Sequence, residues 1–147
     1  MPTEPQAPLK LLSVVIPARD EEGCIASTVK HLHLELKIHG IPHEIIVVND
    51  GSTDRTARIL EDEKKRVSEL RPVTNSGPHG FGRAIVCGLE AMSGDAVVIM
   101  MADESDDCRD VVRYWTKLNE GFDCVFGSRF LRGRVIDKLR SRSLLTS

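Results

Sequence analysis

Short apolar runs, each followed by a helical pattern, constrain this chain more than any other feature of its sequence. The runs cover residues 11–17, 44–49, 95–102 and 123–130. They are continuous rather than alternating, which is typical of strands buried on both faces of a parallel sheet. A short strand is also predicted near residues 70–74, in an ambiguous stretch. Strand and helix patterns alternate five times, so we predict a three-layer α/β/α fold with a mostly parallel sheet.

Four segments show helical signals between these runs. In the first, Ile25, Val29, Leu32 and Leu36 share one helical face. A second helix is predicted to begin with residues 56–60. A third and a fourth are predicted at residues 84–92 and 107–121. Gly88 lies inside the third helix, which indicates close packing against a neighbour. The leucines after residue 130 could begin another helix.

Composition narrows the class of protein. The length of 147 residues suits one domain, and a net charge of −2 gives no broad basic surface for a nucleic-acid partner. The longest fully apolar run is seven residues, 96–102, whereas a membrane-spanning helix needs about 20. The first residues lack the pattern of a secretory signal, and the four cysteines lack CxxC spacing. We therefore expect a cytoplasmic protein with reduced thiols.

Polar residues follow three of the predicted strands, at residues 18–22, 49–54 and 102–107. The carboxyl ends of parallel strands share one edge of a sheet, and ligands bind there in open α/β folds. Asp103 closes an apolar strand and is the candidate ligand for Mg²⁺ or Mn²⁺, which prefer oxygen. Asp106 and Asp107 are better explained as the start of the next helix.

Asp50 and the loop at residues 76–82 each admit more than one interpretation. Asp50 could accept a hydrogen bond from a ribose or a base, or could simply be a turn residue. The loop at 76–82 is rich in glycine and could approach a phosphate through backbone NH groups, but it matches no dinucleotide or P-loop fingerprint. His79 within it is interpreted as a loop histidine rather than a catalytic base.

Several stretches together resemble a known family. They are "VVIPARDEE", "EIIVVNDGSTDRT", "GFGRAIVCGLEAMSGDAVVIMMADESDD" and "FDCVFGSRF". Their order and spacing resemble the family 2 glycosyltransferases of GT-A fold, most closely the dolichyl-phosphate mannose synthases and bacterial polyprenyl-phosphate sugar transferases. The resemblance covers about residues 11–131. It implies a GT-A domain between a disordered lead at 1–10 and a basic tail at 132–147. Related enzymes continue past Phe130, so the fold is expected to be incomplete at its C-terminus.

The resemblance implies a nucleotide site at the ends of the first two strands. Pro17, Arg19, Asp20 and Glu21 match the family motif after the first strand and would line the base and ribose. Residues 49–52 match the family's Asp-Asp-Gly-Ser. Asn49 stands at the first acidic position of that motif, and Asp50 would contact the nucleoside.

It also implies a metal site and an acceptor contact. The family's Asp-x-Asp matches Met101, Ala102 and Asp103, so the acid expected on the metal is kept and the first acid is replaced by methionine. Ala102 would border the bound nucleotide. Ser105 falls where a further oxygen ligand is expected. Arg129 matches an arginine thought to meet the acceptor phosphate.

The implied reaction transfers a mannose- or glucose-type sugar from a GDP- or UDP-linked donor to a polyprenyl or dolichyl phosphate. The alternative is a nucleotide-binding module without catalysis that needs a partner chain, such as a membrane subunit, to complete its site. The basic tail could contact acidic lipids at the cytoplasmic membrane surface or form a solvated terminus. Its basic residues are Arg132, Arg134, Lys138, Arg140 and Arg142.

Overall fold

A parallel four-stranded sheet organises the chain, as the apolar runs predicted. The computed structural model describes residues 7–127 and 136–139. The strands are β1 (Leu12–Ala18), β2 (His43–Asn49), β3 (Leu70–Thr74) and β4 (Ala96–Ile99), in the spatial order β3-β2-β1-β4. Every pairing between them is parallel. In this order β1 and β2 form the centre of the sheet, and β3 and β4 form its edges.

Helices cover both faces of this sheet and complete the three layers. They are α1 (Ile25–Ile38), α2 (Thr56–Lys64), α3 (Phe81–Ala91) and α4 (Cys108–Asn119). Successive strand residues point to opposite faces. Val14 and Ile16 accordingly join the core beneath α1, α2 and α4, whereas Val15 joins Ala84 of α3 in a second, smaller core.

The fifth predicted strand does not extend the parallel sheet. Strand β5 (Cys124–Gly127) pairs antiparallel with β6 (Ile136–Leu139) in a separate two-stranded sheet. A helix beginning after residue 130 was therefore the wrong expectation for the segment 136–139. Pairing with a neighbouring strand overrides a weak local helical preference, which the sequence of the segment alone does not reveal.

Some predictions fall on residues that the structure does not describe. These include residues 1–6 of the N-terminal lead, Arg129, and Arg132, Arg134, Arg140 and Arg142 of the basic tail. Lys138 belongs to β6, where only the backbone is described. Within the described part of the chain, no helix has the length and apolar character required to cross a membrane.

Gly88 provides the close approach that the sequence suggested. A Cβ at this position would overlap with Val15 Cγ1 and would lie 3.1 Å from Val48 Cγ2. Helix α3 can therefore lie directly on β1 and β2 only because residue 88 lacks a side chain.

We expect Gly88→Ala to destabilise the fold by about 1–3 kcal/mol, because the added methyl group would overpack the second core. Gly82 is the matched control: it lies in the same helix, is exposed, and a Cβ added to it would meet no atom of the described residues within 4 Å. Gly82→Ala should instead stabilise the protein by up to about 1 kcal/mol, since alanine favours helix. Urea unfolding measures both; equal effects of the two changes would contradict this packing.

Candidate functional site

Three loops meet at the carboxyl edge of the parallel sheet. They follow β1, β2 and β4 and contain residues 19–24, 50–55 and 100–107. In the spatial order β3-β2-β1-β4, the strand order reverses between β1 and β4. This is the topological switch point at which open α/β sheets bind ligands. The structure thus brings together the three polar groups that the sequence placed at strand ends.

The loops after β1 and β2 are tied to each other by hydrogen bonds. Asp20 Oδ1 accepts from the backbone NH of Thr53 (2.8 Å) and, more weakly, of Asp54 (3.3 Å). In return, Ser52 Oγ accepts from the Asp20 NH at 3.0 Å. Asp20 has a φ of 54°, in the left-handed region that aspartate tolerates better than most residues. These bonds fix the shape of the two loops before any ligand arrives.

Asp50 is the most buried carboxylate of this edge, with 4% of its surface exposed. Its Oδ1 lies 2.9 Å from Asn75 Nδ2 and 2.8 Å from His79 Nδ1, and its Oδ2 accepts from the Gly80 NH at 2.9 Å. Burial alone would raise the pKa of Asp50, but the hydrogen bonds from Gly80, Asn75 and His79 outweigh it and hold the pKa below the ordinary value of 3.8. Asp50 is therefore ionised at neutral pH.

His79 and Asn75 belong to this cluster although the sequence did not assign them to it. His79 was interpreted as a loop histidine, and it does lie in the loop between β3 and α3. That loop reaches Asp50 because β3 is the sheet neighbour of β2. A Cβ on Gly51 would lie 2.8 Å from the His79 ring, so the ring packs directly against the backbone after Asp50. The only available signal was the glycine-rich loop following the adjacent strand.

Asp103 lies in the exposed part of the third loop. Its Oδ1 accepts from the Ser105 NH at 3.0 Å, so the two residues predicted as metal ligands lie in one tight turn. The preceding Ala102 is buried, and its carbonyl accepts from Thr28 Oγ1 at 2.8 Å. This bond anchors the turn to α1. Residue Met101, where the resembling family has an acid, immediately precedes the anchored position.

The neighbouring acids have separate structural roles. Asp107 is the N-cap of α4 and accepts from the Arg109 NH at 2.9 Å, as predicted. Asp106 instead accepts from the Met101 NH at 2.8 Å and closes the loop onto the end of β4, so its predicted role in starting the helix is wrong. Glu104, with a φ of 62°, turns toward α1 and accepts from Ser27 Oγ at 2.6 Å.

Glu21 connects the first loop electrostatically to Asp103. Partial burial raises the pKa of Glu21 above its ordinary value of 4.5, and the negative charges of Asp103, Asp54 and Asp20 raise it further. Its backbone NH donates to Thr56 Oγ1 at 3.0 Å, which fixes its position at the start of α2. The edge thus concentrates negative charge and hard oxygen donors, a set that fits a divalent cation of the Mg²⁺ or Mn²⁺ type.

The remaining predicted nucleotide contacts lie on the same edge. Pro17 is a half-buried residue near the end of β1, and Arg19 is exposed in the loop that follows. Asn49 ends β2, where its Oδ1 accepts from the Ser52 NH at 3.1 Å and shapes the turn after Asp50.

Comparison with known proteins identifies one family and several structural neighbours. The sequence profile described as "Glycosyl transferase family 2" matches residues 13–145. A curated relative is an undecaprenyl-phosphate 4-deoxy-4-formamido-L-arabinose transferase from Salmonella paratyphi B, 28% identical over 120 residues. That match covers 81% of this chain and 37% of the relative, so the chain spans little more than a third of the curated protein's length.

Two solved structures illustrate the shared fold. A mannosyltransferase from Pyrobaculum calidifontis, solved with GDP-Man and Mn²⁺, is 23% identical with a TM-score of 0.65, covering 84% of this chain and 35% of the other. A glucosyl-3-phosphoglycerate synthase from Mycobacterium tuberculosis, solved with UDP, is 28% identical with a TM-score of 0.54, covering 71% and 38%. The sheet and its flanking helices are those of the GT-A fold.

We expect Asp50→Asn to lower the free energy of unfolding by about 1–3 kcal/mol at pH 7, because the buried hydrogen-bond cluster loses its charged acceptor. Since the pKa of Asp50 is lowered by folding, its contribution is complete above pH 3.8 and is lost as the pH falls through the folded-state value. The difference between wild type and variant should therefore shrink in acid. Urea unfolding across this range measures it.

Asp62→Asn is the matched control, since Asp62 is an exposed acid on α2. Its effect at pH 7 should be within about 0.5 kcal/mol. A difference for Asp50→Asn that stays constant from neutral pH to strong acid would contradict the assigned role of the ionised carboxylate.

Proposed function

The chain belongs to glycosyl transferase family 2, and from this premise we propose that it transfers a mannose- or glucose-type sugar from a nucleotide-diphospho-sugar to a polyprenyl or dolichyl phosphate. The observation that carries the proposal is the meeting of the Asp50 and Asp103 loops at the switch point of a GT-A sheet. The undecaprenyl-phosphate transferase relative supports the acceptor class, and the UDP complex of the mycobacterial neighbour supports a nucleoside diphosphate donor.

Asp50 is the residue we propose for the nucleoside contact. An ionised carboxylate can accept about four hydrogen bonds. Three donors are in place on Asp50, and only one of them is on Oδ2. The remaining lone pair of Oδ2 is suited to a ribose hydroxyl or a base NH. Pro17, Arg19 and Asn49 would border the same pocket, since they flank the loops that Asp20 and Ser52 tie together.

Asp103 and the Ser105 hydroxyl are the groups we propose for holding the divalent cation, with Glu21 beside them. Mg²⁺ and Mn²⁺ in nucleotide sites usually take one or two protein carboxylates together with substrate phosphates, so a single aspartate is sufficient. When bound, such a cation neutralises the charge of the diphosphate leaving group. The negative charge that already raises the pKa of Glu21 favours a cation at this position.

The proposed chemical step is a single displacement. An oxygen of the acceptor phosphate forms a bond to the anomeric carbon while the bond from that carbon to the diphosphate oxygen breaks, and the nucleoside diphosphate leaves with the electron pair. The attacking oxygen is already anionic, so no strong general base is needed. His79 is therefore not required as a base, and its Nδ1 is hydrogen-bonded to Asp50. Arg129 is proposed to meet the acceptor phosphate.

We expect the protein to be stabilised thermally by its donor only when Mn²⁺ or Mg²⁺ is present, because ligand binding to the folded state raises stability. A panel of GDP- and UDP-sugars identifies base and sugar. Asp103→Asn should abolish the metal-dependent part of the shift, and Asp62→Asn should not change it. A shift of equal size in Asp103→Asn would contradict the proposed metal role.

A radiolabel transfer assay with polyprenyl phosphate, run on the same samples, separates catalysis from binding. Donor binding together with transfer of label supports the proposed enzyme. Donor binding by the wild type without transfer above the background set by Asp103→Asn supports the non-catalytic module that depends on a partner chain.

We expect Met101→Asp to lower the Mn²⁺ concentration needed for half-maximal donor binding by about tenfold, equivalent to about 1.4 kcal/mol. The substitution adds a second carboxylate two residues before Asp103, and cation affinity rises with ligand charge. Met101→Leu is the control of similar volume and should leave the Mn²⁺ dependence unchanged. Isothermal titration calorimetry measures both; equal dependence in the two variants would place residue 101 outside the metal site.

A further inference from the structure

A cluster of two histidines and one glutamate lies at the opposite end of the sheet from the proposed active site. His43 is the first residue of β2, His33 projects from α1, and Glu69 directly precedes β3. One ligand-type atom from each residue lies within 4.8 Å of the others. Asn49 lies six positions after His43 along β2, so the cluster is about 20 Å from the nucleotide edge. The glycosyl-transfer chemistry does not involve these residues.

The backbone explains why these three side chains converge. His43 points to the same face of β2 as Ile45 and Val47, which pack beneath α1. His33 lies one helical turn after Val29, so it borders the buried face of α1. The Glu69 carbonyl accepts from the Ile45 NH at 2.9 Å, which fixes this residue beside the start of β2. Three independent elements therefore hold the cluster.

The hydrogen bond of His43 to the backbone determines its tautomer. His43 is only 9% exposed, and its Nδ1 lies 2.8 Å from the Ile41 carbonyl, which can only accept. The proton of the neutral ring is therefore on Nδ1, and the lone pair of Nε2 points into the cluster. A histidine that donates one ring NH to a carbonyl and presents the other nitrogen is the usual arrangement of a metal ligand.

The distances within the cluster suit a small cation. His33 Nδ1 lies 2.9 Å from His43 Nε2 and 3.6 Å from Glu69 Oε2. Two ligands at tetrahedral angles on Zn²⁺, with bonds of about 2.0–2.1 Å, are about 3.3 Å apart. These two separations bracket that value, and the third, between His43 and Glu69, is within 4.8 Å, so a movement of the Glu69 carboxylate toward His43 would bring all three atoms into coordination distance.

We propose that His33, His43 and Glu69 form a zinc site that fastens α1 to the amino end of the sheet. Zn²⁺ would take the place of the proton that His33 Nδ1 shares with His43 Nε2, and that proton would move to the outward Nε2 of His33. Two imidazoles and one carboxylate match the ligand preferences of Zn²⁺ and not those of Mg²⁺, with water as the fourth ligand. Glu44, next to His43, is engaged by Ser13, Ser93 and Arg71 and is not part of this set.

Zinc affinity of the full chain, measured by competition with a chromogenic chelator, tests the proposal. We expect one Zn²⁺ per chain that depends on this cluster, with His33→Ala and Glu69→Gln each weakening it at least tenfold. Glu69→Gln preserves the size of the side chain, so it still tests the role of Glu69 as a zinc ligand if His33→Ala disturbs folding. His39→Ala is the matched control, because His39 is an exposed histidine directly after the same helix; it should leave the affinity unchanged.

Two further measurements distinguish this site from other ligands in the chain. Asp103→Asn should keep the affinity for Zn²⁺, and Co²⁺ bound in its place should show the intense visible absorption of tetrahedral coordination without a thiolate charge-transfer band. Unchanged affinity in both His33→Ala and Glu69→Gln would overturn the proposal. So would loss of binding in Asp103→Asn, or a thiolate band, which would assign the ion to one of the four cysteines.

Discussion

The register between β1 and its two neighbours determines which residues can meet at the carboxyl edge. Ala18 lies opposite Asn49 in β2, and Val15 lies opposite Ile99 in β4. These pairings bring Asp50 to the end of β2 at the level where β1 turns into its acidic loop. Because side chains alternate along a strand, a slip of one residue would move Val14 and Ile16 to the face covered by α3 and Val15 to the face covered by α1. The buried valines and isoleucines of β1 and β2 thus specify the geometry of the candidate site as well as the stability of the fold.

Much of the fold followed from periodicity alone. Continuous apolar runs identified β1, β2 and β4, and the spacing of Ile25, Val29, Leu32 and Leu36 identified α1. Strand β3 was predicted from a more ambiguous stretch, because its sequence contains arginine and proline. Strand β6 did not follow, because its four residues are specified by antiparallel pairing with β5 and not by a pattern of their own. Short elements of this kind depend on a partner that the local sequence does not encode.

The candidate site was predictable to the level of loops but not of contacts. That Asp50 and Asp103 lie at one edge follows from parallel topology. The engagement of His79 by Asp50 requires knowing that β3 is next to β2, so that the loop after β3 can reach across. The separate roles of Asp106 and Asp107 were even harder to predict. They depend on whether the carboxylate faces the start of α4, which follows it, or the end of β4, which precedes it.

Helix α3 connects the second core to the Asp50 cluster. Its contact at Gly88 presses it against the sheet, and Gly80 at its other end donates to Asp50. Gly88 lies eight positions after Gly80, which corresponds to about 12 Å along the helix. A side chain at position 88 would push α3 away from β1 and β2. The glycine-rich loop would then move away from the Asp50 carboxylate. A change of packing in the interior of this layer would then be transmitted to the Asp50 carboxylate, so the second core and the candidate nucleotide site are mechanically coupled.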